Sequence, residues 1–341
     1  MRTSRIGTVG CIFSKRSEAT GRTAHSKVFV DNRMSEIQNS NPLISATELN
    51  DRLADPNLIV FDCRFALDDV ESGRRGYSQS RIPRARYMHL NDDLSAPVLD
   101  GMEGRHPLPN REMFGIQMQV AGMTNKAEVV CYDASGGPFA ARLWWMLKWI
   151  GIQQVQVLNG GWNAWQALRF PLETSPPPDF KFGEPIQNAQ VAEDQKQGRP
   201  HSIHLNSIEL PQDPNLRMKA FQIQEDLSRS NLVDSRTRDR FLGENETIDP
   251  VAGHIPHASN LPWTENLSKT GLFKSSKDLK DRFDNVYHRG DINPTFYCGS
   301  GVTACHNILA TQIAGFPMPK LYAESWSGWI ADPIRPISIG E

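Results

Sequence analysis

An internal repeat constrains this chain more than any other feature. Val60-Phe61-Asp62-Cys63-Arg64 is echoed by Leu232-Val233-Asp234-Ser235-Arg236 at an offset of 172 residues, and Arg81-Ile82-Pro83 by His254-Ile255-Pro256 at an offset of 173. Val129-Val130-Cys131-Tyr132-Asp133 is echoed by Pro294-Thr295-Phe296-Tyr297-Cys298 at 165, so Asp133 occupies the position of Cys298. Trp162 and Trp165 recur as Trp326 and Trp329, both 164 residues on. Four matches in one order at nearly constant offset describe a duplicated unit, and self-similarity on this scale sets the architecture before any motif is interpreted.

Within each copy, short apolar runs ending in polar residues alternate with helical patterns, such as 140–150 after the first central run and 303–314 after the second. Alternation of this kind predicts an α/β fold in which each copy is a parallel sheet flanked by helices. Ligands then belong at the carboxyl ends of the strands. The expected boundaries are an N-terminal extension over 1–41, a first domain over 42–172, a Pro-rich linker over 173–215 and a second domain over 216–341. Seven Lys or Arg stand against two acids in the first 33 residues, without an apolar core. This stretch fits a transit-like extension or sequence upstream of a natural start at Met34, and the second reading is favoured.

The formal net charge is −2, so no overall cationic field exists to collect nucleic acid or an anionic membrane, and small molecules are the expected substrates. Five cysteines without CxxC spacing do not form a disulfide framework, which points to a reducing compartment. A cytoplasmic location is expected, or a mitochondrial one if residues 1–33 are a transit peptide. Cys298, Cys305 and His306 are the one cluster of metal-type ligands, and no second pair completes a tetrahedral site, so neither a metal nor another cofactor is expected.

Phe296-Tyr297-Cys298-Gly299-Ser300-Gly301-Val302-Thr303-Ala304 reads as strand, tight loop and helix start. Two glycines permit the positive φ values that turn successive amides inward as an anion-binding nest, and the helix that follows adds positive potential at its amino end. A thiol there ionises more readily than an ordinary one. Cys63, Cys131 and Cys305 are read as small core residues, the usual state of a free cysteine.

The Cys298–Ala304 loop is similar to the active loop of 3-mercaptopyruvate sulfurtransferases, and the duplicated frame over about 42–335 resembles tandem rhodaneses. Supporting motifs are Val233-Asp234-Ser235-Arg236, Gly253-His254-Ile255-Pro256 and Ser325-Trp326. The resemblance implies that the second copy is catalytic and the first shapes one wall of the site, in keeping with Asp133 at the cysteine position. It implies sulfur transfer through a persulfide on Cys298, with the sulfur then removed by a thiol acceptor such as thioredoxin or glutathione, or by cyanide. It assigns Arg240 to the anionic donor, Ser300 and His106 to a proton relay, and Gly299, Gly301, Val302 and Thr303 to the loop that binds substrate. Arg236 and Arg238 are read as solvated surface arginines. The family's relay carboxylate falls on Asn91, so Asp92 is the candidate to replace it, and 244–250 supplies no second donor-binding arginine.

Three rivals are weighed. A thiosulfate sulfurtransferase is disfavoured because the Cys-Arg-Lys-Gly loop of thiosulfate-specific relatives is replaced by neutral Gly299 and Ser300. A cysteine phosphatase needs an arginine six residues after the nucleophile, where Ala304 stands. A non-catalytic sulfur-sensing module would not need Cys298 in a complete glycine loop.

Overall fold

Two parallel sheets that share a four-strand order carry the duplication into three dimensions. The computed structural model describes residues 41–124, 127–176, 215–288 and 293–341. The expected extension therefore lies outside the described residues up to position 40, and the expected linker outside them over 177–214.

In the first half the strands are β1 (Leu43–Ile44), β2 (Leu58–Asp62), β3 (Arg86–Tyr87), β4 (Glu128–Tyr132) and β5 (Val155–Leu158), ordered β1-β5-β4-β2-β3. In the second half they are β6 (Leu232–Asp234), β7 (Ser259–Asn260), β8 (Thr295–Tyr297) and β9 (Lys320–Leu321), ordered β7-β6-β8-β9. All the pairings are parallel. Apart from β1, the two orders coincide when β2 is matched to β6 and β4 to β8. Continuous apolar runs such as Leu58-Ile59-Val60-Phe61 are buried throughout, as strands covered on both faces require.

The repeated Asp-x-Arg motif has one structural role in both halves. Asp62 accepts from Nε and Nη2 of Arg64, at 2.9 and 2.6 Å to Oδ2, while Asp234 accepts from the same atoms of Arg236 at 3.1 and 2.6 Å. Each arginine reaches on to a backbone carbonyl, that of Ser80 or of Gly253, at 2.7 Å in both cases. Each guanidinium also lies over a repeat tryptophan, Arg64 4.3 Å from the Trp162 ring and Arg236 4.9 Å from the Trp326 ring. Arg236 is therefore no solvated arginine: it is 2% exposed, because the fork that braces one sheet recurs in the other. Arg238 is exposed and pairs with Glu341.

A helix follows each central strand, α1 (Pro138–Trp149) after β4 and α2 (Thr303–Ile313) after β8. The two pack against each other across the seam between the halves. Almost every residue of α1 is buried, and one apolar cluster runs from Phe139, Leu143 and Trp145 through to Cys298, Ala304 and Ile308. Burial on this scale, roughly 1.5–3 kcal/mol per large side chain, is what holds the two active-loop positions in register. No helix among the described residues is long and apolar enough to cross a membrane.

Candidate active site

Position 133 and position 298 occupy equivalent strand ends, and their chemistry differs. In the first half the Asp133 carboxylate accepts from the amides of Ser135, Gly137, Phe139 and Ala140 at 2.8, 2.9, 2.9 and 3.0 Å. The nest is occupied by the chain's own anion. In the second half the short loop leaves the nest to sulfur: the amide of Gly301 donates to Sγ of Cys298 at 3.1 Å. Burial pushes the Cys298 thiol up, but the Thr303 hydroxyl and the amides of Ser300 and Ala304 outweigh it, and the net shift is downward. The amino end of α2, eleven residues long, acts in the same sense. Cys63, Cys131 and Cys305 are all pushed up, burial being the main cause.

The loop is braced from behind. Ser325 has a φ of 55°, the same value as Gly161 at the equivalent position of the first half. A non-glycine residue in that region is strained, and here the strain sets Oγ of Ser325 to accept the amide of Cys298 at 3.1 Å. Gly301 has a φ of 76°, and a β-carbon there would lie 2.4 Å from the carbonyl oxygen of Ala323, so only glycine fits. Gly299 differs from expectation, since Gly301 is the loop glycine with positive φ. At Gly299 the missing side chain leaves room for guanidinium groups.

Cys298 is only 2% exposed, yet it is reached through a cavity of about 320 Å³ between the halves. The second half contributes Cys298, Gly299, Ser300, Val302, Thr303 and Arg240 to the walls, and the first half contributes Phe65, Leu67, Phe139, Arg105 and His106. A larger cavity of about 670 Å³ adjoins it, sharing Arg105, His106 and Ile248.

Of the residues expected at the site, the structure brings together Cys298, the loop, Arg240, Ser300 and His106. Nδ1 of His106 lies 2.7 Å from Oγ of Ser300. Burial, followed by the neighbouring Arg142 and Arg105, pushes the His106 imidazole down to about 3, so the ring is neutral at neutral pH. Asp92 is not part of this group. Its side chain is 59% exposed and turned to Nη2 of Arg74 at 2.8 Å and Nδ1 of His89 at 3.1 Å. Nη2 of Arg74 on the outer face holds it there, with the His89 ring beside it, while Asn91 lines the larger cavity. Among the described residues no carboxylate is hydrogen-bonded to the His106 ring.

Several participants carry no sequence signal of their own. Nη1 of Arg105 donates to Oδ1 of Asp249. Nη2 of Arg240 donates to Oε1 of Glu246 and Oδ2 of Asp249, both at 2.9 Å. The segment 244–250 thus supplies the two buried carboxylates that aim the arginines. Arg142, fully buried on α1, donates to the carbonyls of Gly301 and His106 at 3.2 and 3.0 Å, coupling the first half to the Cys298 loop. Arg105 was legible only as the neighbour of His106, and Arg142 only as a charge inside an otherwise apolar helix.

The rhodanese-like domain family matches residues 45–168 and 219–332. A protein of Pseudomonas aeruginosa named as a probable 3-mercaptopyruvate sulfurtransferase is 41% identical over 307 residues, covering 88% of this chain and 98% of its own length. The thiosulfate sulfurtransferase of Mus musculus is 30% identical, covering 84% of this chain and 90% of its own. Among solved structures, a 3-mercaptopyruvate sulfurtransferase from Leishmania major superposes with a TM-score of 0.68 at 28% identity, over 85% of this chain and 74% of that one. The chain belongs to the rhodanese family, as a two-domain sulfurtransferase.

Proposed function

We propose that the protein takes sulfur from 3-mercaptopyruvate as a persulfide on Cys298 and passes it to a thiol acceptor. The observation that carries this reading is the Cys298 sulfur, held by the Gly301 amide at 3.1 Å on the wall of a cavity also lined by Arg105, Arg240 and a Ser–His pair. In the reaction the Cys298 thiolate attacks the donor's sulfur and the carbon–sulfur bond breaks. The bonding pair leaves on carbon as the enolate of pyruvate, and the donor's thiol hydrogen stays on the new outer sulfur, giving Cys298–S–SH. The enolate takes a proton at C3 from Ser300, and the neutral His106 ring relays a replacement to Ser300 from Nδ1–H while its Nε2 takes one from solvent. A thiol acceptor such as thioredoxin or glutathione, or cyanide, then removes the outer sulfur and regenerates the thiolate.

Thiosulfate is the second reading, and Arg105 beside Arg240 favours it, because a dianion is served by two cations at the loop. An assay of thiocyanate formation from cyanide decides between the donors. The expected result is a kcat/KM for 3-mercaptopyruvate well above that for thiosulfate, with pyruvate released in step. Preference for thiosulfate, or no pyruvate, would reverse the assignment.

A further inference from the structure

We infer that the larger cavity beside the catalytic one is the seat of the sulfur acceptor, and that it fits a small peptide-like thiol of the glutathione class. The inference rests on the proposed persulfide on Cys298. The cavity around Cys298, about 320 Å³, suffices for a keto acid as small as 3-mercaptopyruvate. The adjoining cavity, about 670 Å³, then has no occupant assigned, although it shares Arg105, His106 and Ile248 with the first. Both volumes lie in the range of roughly 300–1,000 Å³ typical of small-molecule sites. A tripeptide that brings its sulfur to Cys298 outgrows the smaller cavity, and the larger one is the space that receives the rest of it.

One wall carries a hydroxyl that the fold leaves without a partner. Ser95 is 9% exposed, and its Oγ is buried with no hydrogen bond among the described residues. A buried polar group in that state costs the folded chain stability until something fills the place. The wall itself is fixed: Nη2 of Arg142 donates to the carbonyls of Leu94 and His106 at 3.3 and 3.0 Å, and the amide of Ala96 to the carbonyl of Pro107 at 3.0 Å. Ser95 is thus held in register with His106, which lines both cavities. The opposite wall comes from the second half. A β-carbon on Gly104 would lie 2.4 Å from the carbonyl oxygen of Glu324, and the amide of Arg105 donates to Oγ of Ser327 at 3.1 Å, so the walls are joined along this edge.

The lining selects the kind of thiol. Apart from Arg105 and Asp249, which pair with each other, it is apolar or neutral. Val98, Ile248, Pro250 and Ile330 offer surface to a carbon chain, while Asn91, Ser95 and Ser327 offer neutral hydrogen-bonding groups suited to amides. In the transfer step the acceptor's thiol gives its proton to solvent, and the thiolate attacks the outer sulfur of Cys298–S–SH. The bond between the two sulfurs breaks, its electron pair returns to Cys298 as thiolate, and the acceptor leaves as its own persulfide, R–S–SH.

The test measures sulfur transfer from 3-mercaptopyruvate to glutathione, to cyanide and to reduced thioredoxin in wild type, Val98→Trp and Ser95→Ala. Val98 is 52% exposed at the rim of the larger cavity, so a tryptophan there fills space without disturbing the core. Val98→Trp is expected to raise KM for glutathione by about 10-fold or more, while KM for 3-mercaptopyruvate and for cyanide stays within about twofold. Retained turnover with cyanide also shows that the variant is folded. Ser95→Ala should raise KM for glutathione by roughly 2- to 10-fold, the range of one neutral hydrogen bond, with the same indifference to cyanide. Equal changes for glutathione and cyanide, or none for glutathione, would overturn the inference. So would a block confined to thioredoxin, which would make the cavity the seat of a protein thiol, or a wild type that transfers sulfur to cyanide but not to glutathione. A wild type that releases no pyruvate with any acceptor refutes the donor reading itself and takes the inference with it, an outcome distinct from a wild type that turns over and variants that do not discriminate.

Discussion

Nδ1 of His106 and Oγ of Ser300, 194 residues apart in sequence, are 2.7 Å apart in the structure. The bond crosses the seam between the halves, so the proton path proposed above needs both copies. Because burial and two neighbouring arginines push His106 down to about 3, the ring enters the reaction neutral. His106→Ala is therefore expected to slow pyruvate release by about 100-fold or more, within the usual range for a lost proton relay. Ser300→Ala should cost a similar factor, and the double variant little beyond either single one, since the two act as a unit. A double variant showing the product of the two losses would separate their roles.

Acid stability provides a second prediction. His106 and His306 are both pushed down to about 3, with burial as the leading cause. His306 is held neutral between the Phe273 ring, 4.6 Å away, and the carbonyl of Gly136, 3.0 Å from Nε2. Depressed values in the folded state mean that the unfolded chain takes up these protons first. Their contribution is complete above the ordinary histidine value near 6.5 and is lost as pH falls towards 3, at up to about 1.4 kcal/mol per pH unit for each histidine. Urea midpoints measured from pH 7 to pH 4.5 should fall accordingly, and His306→Gln should flatten the slope by up to one proton. An unchanged slope would contradict the burial of a neutral ring.

Asp133 provides a test of the first-half loop. Asp133→Ala removes the acceptor of four amides, three of them buried, between 2.8 and 3.0 Å from the carboxylate oxygens. A loss of about 3 kcal/mol in unfolding free energy is expected, because unsatisfied buried donors cost more than the bonds themselves contribute. Urea unfolding of the variant measures it, and a loss well under 1 kcal/mol would mean that water replaces the carboxylate freely.

Thiol reactivity reports on the active loop. Removing the hydroxyl at Thr303, which helps to hold the Cys298 thiol down against burial, should raise its pKa. The pH midpoint of iodoacetamide alkylation at Cys298 is expected to move up in Thr303→Val. Cys63, Cys131 and Cys305, all pushed up by burial, should stay unmodified under the same conditions. Equal labelling of these cysteines would mean that the loop does nothing special for sulfur.

The duplicated frame was legible in the sequence because buried parallel strands are continuous apolar runs, and because Asp62–Arg64 and Asp234–Arg236 mark the same strand end twice. The cysteine loop was legible for a similar local reason, since strand, glycines and helix start are adjacent in sequence. What escaped was the burial and pairing of individual charged side chains. Asp92 was a sensible stand-in for the carboxylate missing at Asn91, but Arg74 and His89 hold it on the outer face. A lone arginine such as Arg236 reads as a surface residue, and it is its fork to Asp234 that lets it be buried. Arg105 could not be weighed at all, since nothing in its local sequence says that Asp249, 144 residues away, will hold it beside Gly299.

Mass spectrometry of the Cys298 peptide after brief incubation with 3-mercaptopyruvate, with alkylation to trap persulfides, tests the sulfur-transfer step most directly. The predicted result is a gain of one sulfur atom on Cys298 alone, formed together with one pyruvate and lost on addition of a thiol acceptor. Pyruvate release without that gain, or sulfur found on another cysteine, would contradict it.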